Sequence, residues 1–371
     1  MKRLFTLVAF LTLAFSFQAQ KYCGFDLLRE AHIEAQKVNQ EAMDDRILDR
    51  ILTLRQSKGG GDYVVPIVIH VIHQNGDENI DEAQIEEGIS ALNQAFSNSG
   101  DYSDQLGVDV GIQFCLAQTD PNGEITSGIN YVEDALTNVL VPSQEQDLKD
   151  IIRWNTELYL NIWLVAEITR EEDNSGVIGF ATFPDAHGTD FDGIVIEAQF
   201  FGNNLDDSKV IMHEVGHYLG LFHTFQDACP NGNCLLDGDR VCDTPPDAHV
   251  FNTICFDGTN SCLSDDDDLS ENNPFRPISE GGLGDQEDMQ TNYMDYSSLY
   301  CFIRFTQGQK ERMLAALLEY RASLLEGDRC NPPCEDPINV NAFSDALDVL
   351  VNESVTIANA SSGYTSAEWW V

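Results

Sequence analysis

The spacing of apolar residues changes period several times along the chain, and each change predicts a new element. Residues 63–73, YVVPIVIHVIH, are β-branched and almost continuously apolar, which predicts a buried strand. Residues 82–96 carry apolar side chains at helical spacing, and Asp81 can cap that helix. Further strands are predicted near residues 110–117, 158–165 and 192–198, with a short edge strand in GVIGFATFP, Gly176–Pro184. This order indicates a fold in which helices accompany a sheet.

Segments of different character flank this region. Residues 21–56 are charged and helix-prone, and the glycine break SKGGGD follows them. Residues 208–219 predict a helix, whereas residues 227–290 are rich in Gly, Pro, Asp and Asn and show little periodicity. A last helix is predicted from Thr306, which can form a capping box with Gln309.

The N-terminus, MKRLFTLVAFLTLAFSFQAQ, has the form of a secretory signal peptide. Lys2 and Arg3 precede an apolar stretch, Leu4–Phe17, that is too short to span a membrane comfortably. No later segment is long and apolar enough to span one. Residues 1–20 therefore predict a secreted, extracellular protein without membrane insertion.

Charge narrows the choice of partners. The 371 residues contain 20 Lys and Arg against 62 Asp and Glu, a formal net charge of −42. Such a surface repels phosphate backbones and anionic lipid heads, so nucleic acid is excluded as a partner. The densest acidic run, Asp265–Asp268, is expected to be a solvated loop, with calcium binding as the alternative.

Cysteines are concentrated in the second half of the chain. Eight of the ten follow residue 228, and export makes disulfides permissible, so this half is expected to be loop-rich and cross-linked. Cys115 lies in a strand pattern and is expected to be a free buried thiol. Cys330 and Cys334 are expected to pair locally.

The stretch HEVGHYLGLFH carries the chemistry of the chain. On a helix, His213 and His217 lie on one face and can share a metal, and Gly220 can end the helix and return His223 as a third ligand. Three imidazoles leave one position of a tetrahedral Zn²⁺ open, the pattern of a catalytic site. Glu214 can reach a metal-bound water. An amphipathic helix with surface histidines would not explain this spacing.

This stretch resembles the metzincin signature HExxHxxGxxH. NYMDYSS is similar to the metzincin Met-turn, with Met294 as its methionine, and GDRVCDTPPD and CFIRFTQGQKERM resemble the pappalysin family. The resemblance extends from Tyr63 to about Leu325. It implies an α+β catalytic domain of metzincin type. Its upper subdomain has a twisted mixed sheet and two helices, and its irregular lower subdomain, cross-linked by disulfides, ends in a helix.

The resemblance also implies a function, a secreted zinc endopeptidase that acts on proteins or peptides. Glu214 would act as general base, and Tyr296 would stabilise the transition state, although it could also be a packing tyrosine. The edge strand near residues 179–183 would pair with an extended substrate.

A second metal is implied by the loop that contains DRVCDT. In pappalysins the corresponding loop can bind calcium, here through Asp239, the carbonyl of Cys242 and Thr244, with Asp243 as a further ligand. The alternative is a turn fixed by its own aspartates and prolines. The resemblance further suggests a disulfide between Cys255 and Cys301, and one between Cys262 and Cys234 or its neighbours.

Cys23 suggests how activity could be withheld. The segment CGFD resembles the cysteine switch of latent metalloproteases, in which a thiolate fills the open zinc position, although Asp26 comes one residue early. The alternative is a disulfide with another cysteine. The domain prediction is a signal peptide (1–20), a propeptide (21–58), a catalytic domain (59–328), and a linker with the first strands of a β-sandwich module that continues beyond the sequence (329–371).

Two other functions stay open. One is a zinc hydrolase that acts on a bond other than a peptide bond, because His-Glu-x-x-His also serves such enzymes. The other is a non-catalytic secreted adhesin, in which the acidic surface and the C-terminal module are the functional parts. The oligomeric state and the natural substrate are not predicted.

Overall fold

The computed structural model describes residues 22–36, 39–57, 62–248, 255, 258–332, 342–344 and 357–359. The predicted signal peptide and most of the predicted C-terminal module lie outside these residues. The helices are α1 (Phe25–Gln36), α2 (Gln40–Ser57), α3 (Glu82–Phe96), α4 (Glu145–Ile151), α5 (Lys209–Tyr218) and α6 (Gln307–Tyr320). The strands are β1 (Tyr22–Cys23), β2 (Tyr63–His73), β3 (Ile112–Leu116), β4 (Ile129–Glu133), β5 (Asn138–Val141), β6 (Leu160–Val165), β7 (Glu167–Arg170), β8 (Gly176–Ala181), β9 (Ile194–Glu197), β10 (Ala342–Ser344) and β11 (Ile357–Asn359).

One mixed sheet forms the centre of the fold. Its strand order is β3-β2-β6-β9-β8-β7-β5, and β4 also pairs with β2. The strands β3, β2, β6 and β9 are parallel, whereas β8 is antiparallel to both β9 and β7. Because β7 covers only the first two residues of β8, the later part of β8 has a second edge that can accept another strand. The short strand β1 occupies that edge, parallel to β8.

Both faces of the sheet are buried. Alternate residues of β2, such as Ile67 and Ile69, face a core that includes α3 and α5. Ile72 of β2 points to the opposite face of the sheet and packs in a second core. Helix α1 contributes Leu28 to this core, and α4 contributes Leu148. The near-continuous apolar sequence of β2 follows from this double burial. The prediction of a mixed sheet accompanied by helices is confirmed.

The region between α5 and α6 is irregular and cross-linked, as predicted. Its disulfides join Cys229 to Cys262, Cys234 to Cys242, and Cys255 to Cys301. Helix α6 begins with the predicted capping box, in which Thr306 and Gln309 satisfy each other's backbone N–H groups. Cys262 therefore pairs with Cys229, a neighbour of Cys234, rather than with Cys234 itself.

Two expectations about cysteines are wrong, and one about charge is wrong in part. Cys115 is not a free thiol but forms a disulfide with Cys330, so Cys330 does not pair with Cys334. This disulfide fixes β3 to the chain just beyond the predicted end of the catalytic domain. Within the run at 265–268, Asp267 is exposed as expected, whereas Asp265 and Asp268 are buried and accept backbone N–H groups from Gln286 and Cys234.

The N-terminal segment packs against the rest of the fold as two helices. Helix α2 lies along α6, and its buried Ile47 packs in a cluster that includes Phe183, Phe222 and Ala316. Ion pairs join Arg50 to Glu319 and Arg55 to Glu311 at the rim of this contact. In the described part of the chain, no helix is both long and apolar enough to cross a membrane.

Candidate metal and catalytic centre

Three histidine side chains converge at the end of α5. Nε2 of His217 lies 3.1 Å from Nε2 of His213 and 3.1 Å from Nε2 of His223. The first two are one helical turn apart on α5, and Gly220, with φ of 88°, turns the chain so that His223 returns to them. All three are buried. The local sequence thus places three imidazoles around one point.

The hydrogen bonds of His213 and His217 leave the Nε2 atoms of these two rings as acceptors. Nδ1 of His213 donates to the carbonyl of Tyr293 at 2.6 Å, and Nδ1 of His217 donates to that of Leu221 at 2.8 Å. With the proton held on Nδ1, Nε2 presents a lone pair. Burial, followed by the neighbouring His223, lowers the pKa of His213 to about 3, which keeps that ring neutral. Converging buried lone pairs repel unless a cation lies between them, so these residues fit a metal ion.

A fourth atom of a type that binds metals comes from the N-terminal segment. The thiol of Cys23 and one nitrogen from each of His213, His217 and His223 all lie within 4.8 Å of one another. Among the described residues, Cys23 is the one cysteine that is not in a disulfide, so the alternative of a disulfide-bonded Cys23 is not observed there. Three nitrogens and one sulfur are a suitable tetrahedral donor set for Zn²⁺.

Glu214 lies beside this cluster without joining it. Its Oε2 accepts from the Cys23 thiol at 3.6 Å, and its buried Oε1 has no hydrogen-bond partner in the described part of the chain. Burial raises the pKa of Glu214 to about 8. A Cβ added at Gly179 of β8 would lie 3.0 Å from Oε1, so the glycine leaves room for the carboxylate between α5 and the strand. This arrangement suits a proton carrier next to a metal site.

Met294 lies under the histidine helix. It is fully buried, and a Cβ added at Gly216 would lie 2.4 Å from its sulfur. The backbone of the same turn is tied to the site, because the carbonyl of Met294 accepts from Thr224 N at 3.1 Å. The histidine motif does not specify Gly216, although a glycine inside a predicted helix can indicate that another side chain packs close to the backbone there.

Tyr296 reaches the centre from the turn after Met294. Its hydroxyl donates to the carbonyl of Cys23 at 3.0 Å, and its ring meets that of His223 edge to face at 4.6 Å. Burial raises the pKa of this phenol well above its usual value, so the hydroxyl keeps its proton. The tyrosine therefore presents a hydrogen-bond donor to a carbonyl oxygen beside the three histidines.

Residues next to Cys23 contribute contacts that the sequence did not reveal. The ring of Phe25 stacks on His217 with centroids 3.9 Å apart, and Asp26 lies 3.2 Å from Nδ1 of His223. The N–H of Gly24 donates to the carbonyl of Gly179 at 2.8 Å, which continues the pairing of β1 with β8. Residues 23–26 therefore lie between the three histidines and β8.

The predicted calcium ligands separate into two groups. The hydroxyl of Thr244 donates to Asp239 at 2.7 Å and also lies 2.8 Å from the carbonyl of Val241. The carboxylate of Asp243 makes a different set of contacts, and it accepts from Thr306 and from Gly308 N at the start of α6. The carbonyl that contacts Thr244 belongs to Val241. Cys242 forms a disulfide with Cys234. Burial raises the pKa of Asp239 to about 7, which a cation bound there would oppose.

Comparisons with known sequences agree on one family. The model of the peptidase M43 family described as pregnancy-associated plasma protein-A matches residues 143–318. An extracellular metalloprotease of Pyricularia oryzae is 29% identical over 329 residues, which cover 86% of this chain and 96% of that protein. An extracellular metalloprotease of Sordaria macrospora is 30% identical over 250 residues, which cover 66% of this chain and 70% of that protein.

Solved structures give a similar result. Mature mirolysin of Tannerella forsythia, in complex with a cleaved peptide, is 28% identical with a TM-score of 0.57, and the match covers 74% of this chain and 100% of that one. A promirolysin mutant of the same organism is 26% identical with a TM-score of 0.58, and the match covers 82% of this chain and 97% of that one.

Proposed function

Because this chain belongs to the pregnancy-associated plasma protein-A family of metalloproteases, the pappalysins, we propose that it is a secreted zinc endopeptidase made as a zymogen. The observation that carries the proposal is the convergence of three Nε2 atoms beside the buried carboxylate of Glu214, whose Oε1 has no hydrogen-bond partner among the described residues. The relatives named as extracellular metalloproteases support secretion, and so does the signal-like sequence at residues 1–20.

The substrate is proposed to take the position that β1 occupies in this structure. Gly179 already accepts a backbone N–H from Gly24, so an extended peptide can replace β1 and pair with β8 by strand addition. The peptide carbonyl next to the histidines would then meet the hydroxyl of Tyr296, which now donates to the Cys23 carbonyl. The substrate class is therefore an extended polypeptide.

Each polar residue of the centre has a separate task in this proposal. His213, His217 and His223 would hold Zn²⁺, which when bound activates water and polarises a carbonyl. Glu214 takes a proton from the attacking water and passes it to the departing amine, and its nonpolar surroundings favour such transfers. Tyr296 donates a hydrogen bond to the oxygen on which negative charge develops.

Latency follows from the same contacts. Cys23 supplies a fourth donor atom at the histidines, and residues 22–26 block the edge of β8. Removing the N-terminal segment would remove both obstacles together. The bonds after Arg55 and Lys58, next to the glycine break, are candidate cleavage points.

Calcium is proposed as a second, structural cation at the loop of Asp239 and Thr244. The carboxylate, the hydroxyl and the carbonyl of Val241 form a compact buried group of oxygen donors, the type that Ca²⁺ prefers. We do not include Asp243 in this proposed site, because its carboxylate accepts from Thr306 and from Gly308 N at the start of α6.

The experiment that tests the main proposal is the substitution Glu214→Gln. The variant and the parent are both treated with an added protease that cuts near residues 55–58, so that neither depends on self-activation. We expect about one zinc per chain in both, and peptidase activity at least about 100-fold lower in the variant. The exposed Glu167→Gln serves as a matched control that keeps activity.

Two results would contradict this assignment. If Glu214→Gln keeps the parent's activity, Glu214 is not the proton carrier. If the activated parent holds zinc but cuts no bond in a diverse peptide library, the endopeptidase proposal is wrong, and a hydrolase of other bonds or an adhesin becomes the better description.

A further inference from the structure

Two arginines from distant parts of the chain meet at one carboxylate of the N-terminal segment. Nη2 of Arg312 lies 2.6 Å from Asp44, and Nε of Arg240 lies 3.1 Å from the other oxygen of the same carboxylate. Gln40 of the same helix also donates to Asp44, at 3.0 Å. Asp44 is buried on α2, whereas both arginines belong to the region that bears the histidine cluster. The arginines thus form a receptor for a carboxylate.

The arginines have supports that do not involve α2. Nε of Arg312 donates to the carbonyl of Gly220 at 2.7 Å, and Arg240 donates to that of Gly238 at 3.1 Å. Both guanidinium groups lie over the ring of Phe222, 4.4 Å away for Arg240 and 5.2 Å away for Arg312. These contacts would remain if the N-terminal segment left, so the receptor is built into the catalytic region.

The receptor is connected to the histidine cluster. A cavity of about 370 Å³ is bordered by Arg240, Phe222, Phe25 and Phe225. Phe25 stacks on one metal-ligand histidine, His217, and Phe225 stacks on another, His223, at 4.7 Å. A peptide that replaced residues 22–26 at the centre could therefore extend through this cavity to Arg240, which borders it. Arg312 does not border the cavity and joins the site through the carboxylate that it shares with Arg240.

Charge makes an anion the natural occupant. Arg312 is almost completely buried. Without Asp44, the positive charges of Arg240 and Arg312 would lose the carboxylate that now neutralises them. The acids that stay near them are Asp227, 3.9 Å from Arg240 and half-exposed, and Asp239, whose carboxylate is already engaged by Thr244. An unpaired charge in a buried site is costly, and an arginine pair suits a carboxylate especially well.

We propose that Arg240 and Arg312 form a carboxylate-binding site that Asp44 fills in the precursor and that an acidic residue of the substrate fills after residues 22–57 leave. This inference rests on the proposed function, because it requires a peptide substrate and a removable segment. The site would favour substrates with Asp or Glu at a fixed distance from the cleaved bond.

The first test uses the full chain and does not depend on proteolysis. In a Glu214→Gln background, Asp44→Ala removes the internal carboxylate, and acetate is the probe. We expect the melting temperature of this variant to rise along a saturating curve with sodium acetate, compared with sodium chloride at equal ionic strength. Adding Arg240→Gln should abolish the rise, whereas Arg170→Gln, which removes the same charge at the far edge of the sheet, should keep it. An acetate effect that is equal with and without Arg240 overturns the site.

The second test measures substrate choice and covers the case in which Asp44→Ala does not fold. The activated parent, Arg240→Gln and Arg170→Gln digest the same proteome-derived peptides. For the parent, we expect the peptides that are cut to be enriched in Asp or Glu at one fixed position. The preference for Asp or Glu over Asn or Gln at that position should be roughly tenfold lower in Arg240→Gln and unchanged in Arg170→Gln. A parent without such enrichment, or an enrichment that survives Arg240→Gln, overturns the substrate part of the proposal. An activated parent that cuts no peptide contradicts the proposed function instead, and the acetate test then decides the carboxylate site alone.

Discussion

The strength with which the N-terminal segment docks can be predicted from one buried side chain. Ile47 of α2 is 0% exposed and packs against Phe183, Phe222 and Ala316, whereas Leu52 on the same helix is 41% exposed. Ile47→Ala removes three carbons from a closed cluster, and such changes cost about 2–5 kcal/mol. Leu52→Ala should cost less than about 0.5 kcal/mol. The pair separates lost packing from any effect of alanine on the helix.

This difference should appear in the reactivity of Cys23. The thiol is held among the histidines, so an alkylating reagent reaches it when the segment opens. If opening is a rapid pre-equilibrium, a loss of 2 kcal/mol raises the labelling rate roughly 25-fold or more, because about 1.4 kcal/mol is a factor of ten.

The assay follows modification of the peptide that contains Cys23 by mass spectrometry, in a Glu214→Gln background that prevents self-digestion. We expect Ile47→Ala to label roughly 25-fold faster than the parent or more, and Leu52→Ala to label at about the parent rate. Equal labelling rates for the two variants would refute the reasoning, because they would show that the α2–α6 contact does not control access to the centre.

Three further predictions follow from the site. When residues 55–58 are made uncleavable, a Cys23→Ala precursor should cut peptides measurably faster than the precursor that keeps Cys23. Equal inactivity of the two precursors would show that steric blocking by the N-terminal segment, and not the thiol, causes latency. Removing calcium with a selective chelator, while the zinc content stays constant, should lower the melting temperature. A cation at Asp239 and Thr244 would add about 2.7 kcal/mol to the free energy of unfolding at a hundredfold excess over its Kd. An unchanged melting temperature would exclude the site. Gly216→Ala should lower the free energy of unfolding by about 1–3 kcal/mol in urea titration, because its Cβ would lie 2.4 Å from the sulfur of Met294; unchanged stability would contradict that close contact.

Local sequence determined the elements that depend on neighbouring residues. The spacing of His213, His217 and His223 placed three imidazoles together because a helical turn and one glycine bend involve only eleven residues. The capping box at Thr306 and the strand β2, which is buried from Val65 onward, can likewise be predicted from the sequence, because helix caps and apolar runs are local patterns. Strands β4, β5 and β7 were missed, since they are short and half-polar or lie at the edge of the sheet.

Tertiary structure alone decided the contacts between residues far apart in the chain. The disulfide between Cys115 and Cys330 spans 215 positions, and no local pattern specifies which cysteines the fold brings together. The same is true of Asp44, which in sequence is one acid among many and in the fold meets Arg240 and Arg312. Periodicity tells which face of an element is buried, but the partner on the other side is fixed only when the sheet and its helices assemble.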